Sequence, residues 1–237
     1  MLAKSRGNTV KFVCRQLIDD MMTGNFSSGD KLTAESLAER YKVSRTPVRE
    51  ALSILSRDGL LCATPNAGFS VPIMSADELL DILKIRESLE SLAVFELVNN
   101  GVPDGVIDRL REYCEARKNS KDDESSMYYD SCFHMLICDS CGSRQLQQLI
   151  RNYLVLSRIF NATTEVFRKI EVKSCGRPIK ENDIHKEHET IIEAIADGNA
   201  KLARKLVAAH IAAGRIKLEK IHKRAANQTE TDNKKHI

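Results

Sequence analysis

Proline and glycine are scarce in this 237-residue sequence, at 5 and 11 residues. No low-complexity tract is long enough to make the body of the chain disordered. No apolar run approaches the roughly 20 residues that a membrane-spanning helix needs. The first nine residues lack the apolar centre of a secretory signal, so a cytoplasmic protein with no membrane partner is expected. A strong charge of one sign is also missing. Lys and Arg number 36 against 33 Asp and Glu, a net charge of +3, which is too small to establish a nucleic-acid partner. The excess is nevertheless local: residues 1–75 hold 10 basic against 7 acidic side chains, and the remainder is balanced at 26 of each. The 7 cysteines are odd in number, which argues for reduced thiols. Cys138-x-x-Cys141 has no second pair to complete a zinc ribbon, so packing at a helix end is its expected role.

What is present is mostly helical periodicity. Phe12, Val13, Leu17, Ile18, Met21 and Met22 make an apolar stripe over residues 10–22. Gly24 to Asp30 reads as a loop. Thr33 can cap a helix over 33–41, and Lys42-Val43 makes a tight turn. Ser44 can cap the next helix, to about 58, with Pro47 tolerated in its first turn and Gly59 as its stop. Two strands are expected at 60–64 and 69–73, joined through Pro65-Asn66-Ala67-Gly68. Ser75 with Glu78 forms a capping box that opens a helix to about 99. Further helical segments follow at about 104–118, 124–139, 143–160, 161–173, 182–197 and 200–224, with a loop at 175–182. The expected fold is therefore mainly α. A winged helix-turn-helix of three helices and a β-hairpin spans 1–75, an antiparallel all-α bundle of six or seven helices spans 76–224, and a disordered tail covers 225–237.

The helix opened by Ser44 carries the first chemistry. Arg45 and Arg49 are four apart and share one face, while Val48, Leu52 and Leu55 form the opposite stripe. That end of a recognition helix enters the major groove. An Arg fork can bind guanine O6 and N7 or clamp a phosphate. Ser44 and Thr46 can bond phosphate oxygens beside the exposed backbone N–H groups, and Gly68 lets the wing backbone approach DNA. The plain alternative is a solvated helix face with Glu50 nearby.

The run Ser44-Arg45-Thr46-Pro47-Val48-Arg49-Glu50-Ala51-Leu52, with Leu37-Ala38 before it, Asp58-Gly59-Leu60-Leu61 after it and the wing Asn66-Ala67-Gly68-Phe69-Ser70-Val71, resembles the DNA-binding domain of the GntR family. The resemblance implies base or phosphate contacts at Arg45 and Arg49, a backbone contact at Thr46 and a wing role for Gly68. It also implies a homodimer on double-stranded operator DNA carrying an inverted repeat.

In the helical part, Asp130 and His134 stand at i and i+4 on one face. His188 lies in Glu187-His188-Glu189, and His210 in the last helix. Three imidazoles and a carboxylate suit a divalent first-row metal, zinc first, with nickel or manganese as alternatives. His185, one turn before His188, competes for its place. This region resembles the FCD sensor domain of the FadR-type branch, whose ligand order Asp130, His134, His188 and His210 reproduce. The resemblance implies a metal in the bundle core beside a small carboxylate effector. Arg86, in Ile85-Arg86-Glu87-Ser88-Leu89-Glu90, could bind that carboxylate, or could pair with Glu90 at i+4. Departures from the family pattern are Gly142-Ser143 in place of Gly-Asn and Asn199 in place of an Asp cap.

The expected function is a transcriptional regulator, repressor or activator, and not an enzyme. Its effector would act on the heads through residues 75–80. A metal-dependent hydrolase or lyase domain would need a general base. Glu187 and Glu189 are the sequence-adjacent candidates, and both should point away from the His188 face. A metal-free dimerisation bundle is the other alternative.

Overall fold

The structure is a computed structural model that describes residues 2–64, 68–163 and 181–233. The described residues form nine helices and a small antiparallel sheet. None of these helices is long and apolar enough to cross a membrane. The chain divides into two compact units. One holds residues 1–74 and 155–163; the other holds 75–154 and 164–237.

In the first unit, α1 (Leu2–Met22), α2 (Ala34–Tyr41) and α3 (Arg45–Arg57) precede a hairpin of β2 (Cys62–Thr64) and β3 (Gly68–Ser70). Val13, Leu17 and Met21 of α1 are buried, as are Val48, Ala51, Leu52 and Leu55 of α3. Each such aliphatic side chain contributes about 1.5–3 kcal/mol when removed from water. Phe12 departs from the expected stripe and is 46% exposed, because the buried face of α1 is set by Val13, Leu17 and Met21. Asp20 joins α1 to α2, accepting from Arg40 at 2.8 Å and from the Tyr41 hydroxyl at 2.6 Å. Gly59, at φ +80, closes α3. The N–H of Leu60 then donates to Leu55 O at 2.9 Å, a left-handed stop that glycine allows.

The sheet has one strand that the sequence pattern does not reveal. β1 (Lys31–Leu32) pairs antiparallel with β3, Lys31 opposite Ser70 and Leu32 opposite Phe69. The sheet order is β1-β3-β2, so the hairpin becomes three-stranded. Two residues are too short to show alternation, and they follow a stretch with loop composition. The hairpin tip at 65–67 lies outside the described residues.

The second unit contains α4 (Ala76–Asn99), α5 (Val106–Lys118), α6 (Asp123–Asp139), the start of α7 (Arg144–Thr163), α8 (Glu181–Ala196) and α9 (Ala200–Asn233). α4 opens with the expected capping box: the Glu78 N–H donates to Ser75 Oγ, and the Ser75 N–H donates to Glu78 Oε2 at 2.7 Å. α4 packs along α9, and α5 packs against both α6 and α8. Leu97, Leu110, Phe133, Ile137, Ile150, Ile191 and Val207 meet in the core. Cys138 and Cys141 are buried in it too.

Several boundaries differ from the sequence reading: α1 begins at Leu2 rather than near residue 10, and the two hairpin strands are shorter than the expected 60–64 and 69–73. Residues 161–163 continue α7, and the rest of the expected 161–173 helix lies outside the described residues, as does most of the 175–182 loop. Residues 155–163 group with the first unit; Val155, Ile159 and Phe160 are buried but take no part in the bundle core. The last helix runs on to Asn233, through most of the expected 225–237 tail. After Gly214 the sequence to 233 has no glycine or proline to stop it.

Candidate functional site

Thr33 caps α2 through a bond from the Ser36 N–H to its Oγ1 at 3.2 Å. Lys42 takes φ 55 and ends that helix, with the Val43 N–H donating to Ala38 O at 3.0 Å. This left-handed step turns the chain tightly enough for α3 to begin at Arg45. Pro47 and Val48 are buried in the first turn of α3, which leaves Ser44, Arg45, Thr46 and Arg49 exposed around its start. Arg45 Nη1 lies 3.0 Å from Glu35 Oε1, with both side chains more than half exposed. Such a pair is worth about 0–1 kcal/mol, so a phosphate or a guanine can displace it. The carboxylate beside Arg45 thus comes from α2 rather than from Glu50. Ser44 has the backbone of an N-cap yet its side chain makes no capping bond. Gly68 is exposed at φ +87, opposite Thr64 in β2, a conformation that a side chain would strain.

The bundle gathers its polar groups inside. Asp130 and His134 from α6, His188 from α8 and His210 from α9 each present one ligand atom, all within 4.8 Å of one another. His210 Nε2 lies 3.2 Å from His134 Nε2 and 3.3 Å from His188 Nε2. Asp130 Oδ1 is 3.5 Å from His188 Nε2, and Oδ2 is 4.0 Å from His134 Nε2. His134 and His188 are almost fully buried, while Asp130 is about one-third exposed. Phe133 stacks on the His188 ring at 4.1 Å between centroids, which fixes its orientation.

The outer ring nitrogens explain why three imidazole edges converge. His134 Nδ1 is 2.8 Å from Glu90 Oε2, and His210 Nδ1 is 2.7 Å from Glu187 Oε2. A carboxylate there draws the proton to Nδ1 and leaves a lone pair at Nε2. Burial pushes the His188 pKa well below its ordinary value, against the pull of Asp130. Burial alone would raise Glu90, but Arg86 and His134 outweigh it and hold it down to about 2. Asp130 is likewise brought far below the usual carboxylate range by the three imidazoles and Arg117, despite burial. Three ring nitrogens and a carboxylate aimed at one point fit a divalent cation.

The sequence-predicted residues separate as follows. Asp130, His134, His188 and His210 come together. His185 lies apart, its Nδ1 3.1 Å from Cys114 Sγ. Arg86 is buried and its Nε bonds Glu90 Oε1 at 2.6 Å; the pair expected at i+4 forms in the interior rather than on the surface. Glu187 does not point to His188; it is solvent-exposed and reaches His210 Nδ1. Sequence reasoning missed Glu90 as the partner of His134. It also missed Arg117, whose Nε lies 3.2 Å from Asp130 Oδ1. The i+4 spacing from Arg86 was the available signal for Glu90; none existed for Arg117.

Comparison with known proteins matches a family to each part of the chain. Residues 9–71 match the bacterial regulatory proteins of the gntR family, and residues 81–213 match the FCD domain. A Bacillus subtilis (strain 168) protein, named as the uncharacterized HTH-type transcriptional regulator YdhC, is 31% identical over 202 residues, covering 82% of this chain and 84% of its own. The HTH-type transcriptional repressor GlaR of Escherichia coli (strain K12) is 28% identical over 206 residues, covering 83% of this chain and 90% of its own. Among solved structures, E. coli McbR/YncC superposes with a TM-score of 0.73 at 22% identity, covering 90% of this chain and 98% of that one, a likeness of fold.

Proposed function

Since the chain belongs to the GntR family of bacterial regulatory proteins and carries an FCD domain, a DNA-binding transcriptional regulator, we propose that a metal and a small carboxylate effector in its bundle control its affinity for operator DNA. The observation that carries this reading is the convergence of three imidazole Nε2 atoms and Asp130, with Glu90 and Glu187 behind two of the rings. Asp130, His134, His188 and His210 would hold the cation, with zinc the first choice and nickel or manganese the alternatives. When bound, it would supply a Lewis-acidic anchor for a carboxylate. Arg86 would orient His134 through Glu90, and would meet the effector itself only by exchanging that bond.

At the other end, Ser44, Arg45, Thr46 and Arg49 would read the major groove and its phosphates, with Gly68 on the wing. Two copies of the chain would occupy the halves of an inverted repeat. The effector must bind one arrangement of the heads better than another, otherwise it shifts nothing.

The test has two arms. Arg49→Ala should weaken binding to the gene's own upstream DNA by about 1–3 kcal/mol, measured by fluorescence anisotropy at fixed salt. An unchanged affinity removes the assigned reading helix. Elemental analysis of chelator-stripped, zinc-redialysed protein should find His188→Ala short of about one equivalent relative to wild type. Equal metal in both proteins rejects the central cation.

A further inference from the structure

A second group of metal-competent side chains lies apart from the four that converge in the core. His185 and Glu189 stand one turn apart on α8, and Glu115 comes from α5. His185 Nε2 is 3.2 Å from Glu189 Oε1 and 3.6 Å from Glu115 Oε1. The His185 side chain is only 7% exposed, while both carboxylates are more than half exposed. Despite these distances, the buried Nε2 makes no hydrogen bond.

The other edge of the ring faces a sulfur. Nδ1 lies 3.1 Å from Cys114 Sγ, and the same sulfur is 3.8 Å from the His185 carbonyl oxygen. Cys114 is a free, buried thiol. Its S–H can donate to the carbonyl while its lone pair accepts from Nδ1–H. Nε2 is then a bare lone pair facing two anionic oxygens, an arrangement that repels itself unless a cation sits among them.

We propose that His185, Glu189 and Glu115 form a second divalent-cation site, distinct from the core cluster, that ties α8 to α5. One nitrogen and two carboxylate oxygens suit a zinc-class ion, with the remaining positions open to water because the carboxylates face solvent. The competing state is an imidazolium held by the two carboxylates, which takes up a proton and no metal. Bracing at this point acts one turn from His188 on α8 and two residues from Arg117 on α5, so the second ion would stiffen the supports of the core cluster.

Zinc alone is the probe, added by equilibrium dialysis to the full-length, chelator-stripped protein and counted by elemental analysis. Wild type should hold about two equivalents per chain, and Glu189→Gln about one fewer or bind the weaker equivalent at least about tenfold less tightly. Glu189 is exposed, so this variant keeps the fold; His185→Ala should show the same loss, with circular dichroism confirming its helices. Glu189→Gln and His185→Ala proteins that bind zinc as wild type does would overturn the proposal. His188→Ala separates the two sites. If it changes nothing while Glu189→Gln loses an equivalent, the core reading fails and this one stands; if it loses the only equivalent that wild type holds, this one fails.

Discussion

Arg45 and Arg49 stand in water on a helix whose other face is core, whereas His134 and His188 are buried, His134 with Glu90 behind it and His188 with Phe133 stacked on it. The difference follows from what each site must meet. A DNA backbone is large and brings its own charge, so the first unit only has to leave guanidiniums and N–H groups at the surface with weak partners such as Glu35. A small ion or acid, as proposed for the bundle, would bring few contacts, so its ligands would have to be held in place beforehand. The chain Arg86–Glu90–His134 does this with a hydrogen bond of 2.6 Å and an ion-pair contact of 2.8 Å. The price is buried charge, and that makes the two units fail differently when altered.

The largest expected effect is therefore in the bundle and far from DNA. Glu90→Ala removes the buried carboxylate between Arg86 and His134, and should cost about 3–5 kcal/mol in urea unfolding of the metal-free protein. Combining Arg86→Met with Glu90→Leu should recover most of that loss, since both charges leave together. Arg45→Ala, by contrast, should change stability by less than about 0.5 kcal/mol. A loss below about 1 kcal/mol for Glu90→Ala would mean that the buried chain is not stabilising, and the contrast between the units would lapse.

Acid and alkali should divide the units as well. The folded Glu90 carboxyl lies at about 2, below its ordinary 4.5. Its contribution is complete above 4.5 and is lost as the pH falls toward 2. Tyr41 in the first unit is raised above its ordinary 10.0 by burial and by its bond to Asp20. Its contribution is complete below 10 and is lost as the pH rises beyond it. Each limb can reach at most about 1.4 kcal/mol per pH unit for one proton. Urea midpoints across pH should show Glu90→Gln flattening the acid side and Tyr41→Phe the alkaline side. A variant that leaves its own limb unchanged contradicts the assignment.

The ease of reading the sequence tracks the same division. The recognition helix is contiguous, so Ser44 to Leu52 display capping, face and charge within nine residues. Asp130, His134, His188 and His210 were singled out by their resemblance to the FCD pattern, since spacing alone left His185 open against His188. Their supports were not. Glu90 comes from α4, 44 residues before the ring it holds, and Arg117 reaches Asp130 from α5. Glu187 was expected to face away from His188. It does, and that direction leads to His210, a pairing that only the approach of α9 to α8 creates. β1 escaped for a local reason, being two residues long with its partner some 40 residues on.

The smallest effects give the sharpest contrast, because they compare two residues that look alike in sequence. Thr33 and Ser44 both precede helices and both have extended N-cap backbones, at φ −107 and −75. Only Thr33 uses its hydroxyl on its own helix. Thr33→Ala should therefore lower stability by about 1 kcal/mol. Ser44→Ala should cost less than about 0.5 kcal/mol, because no capping bond is removed. Its effect belongs in DNA affinity instead, since a hydroxyl not committed to α3 is one that a phosphate oxygen can take. Thermal midpoints and anisotropy on the same pair of variants decide the matter. If Ser44→Ala destabilises the protein as much as Thr33→Ala and leaves DNA binding untouched, Ser44 is a structural cap and the start of α3 loses one of its proposed DNA contacts.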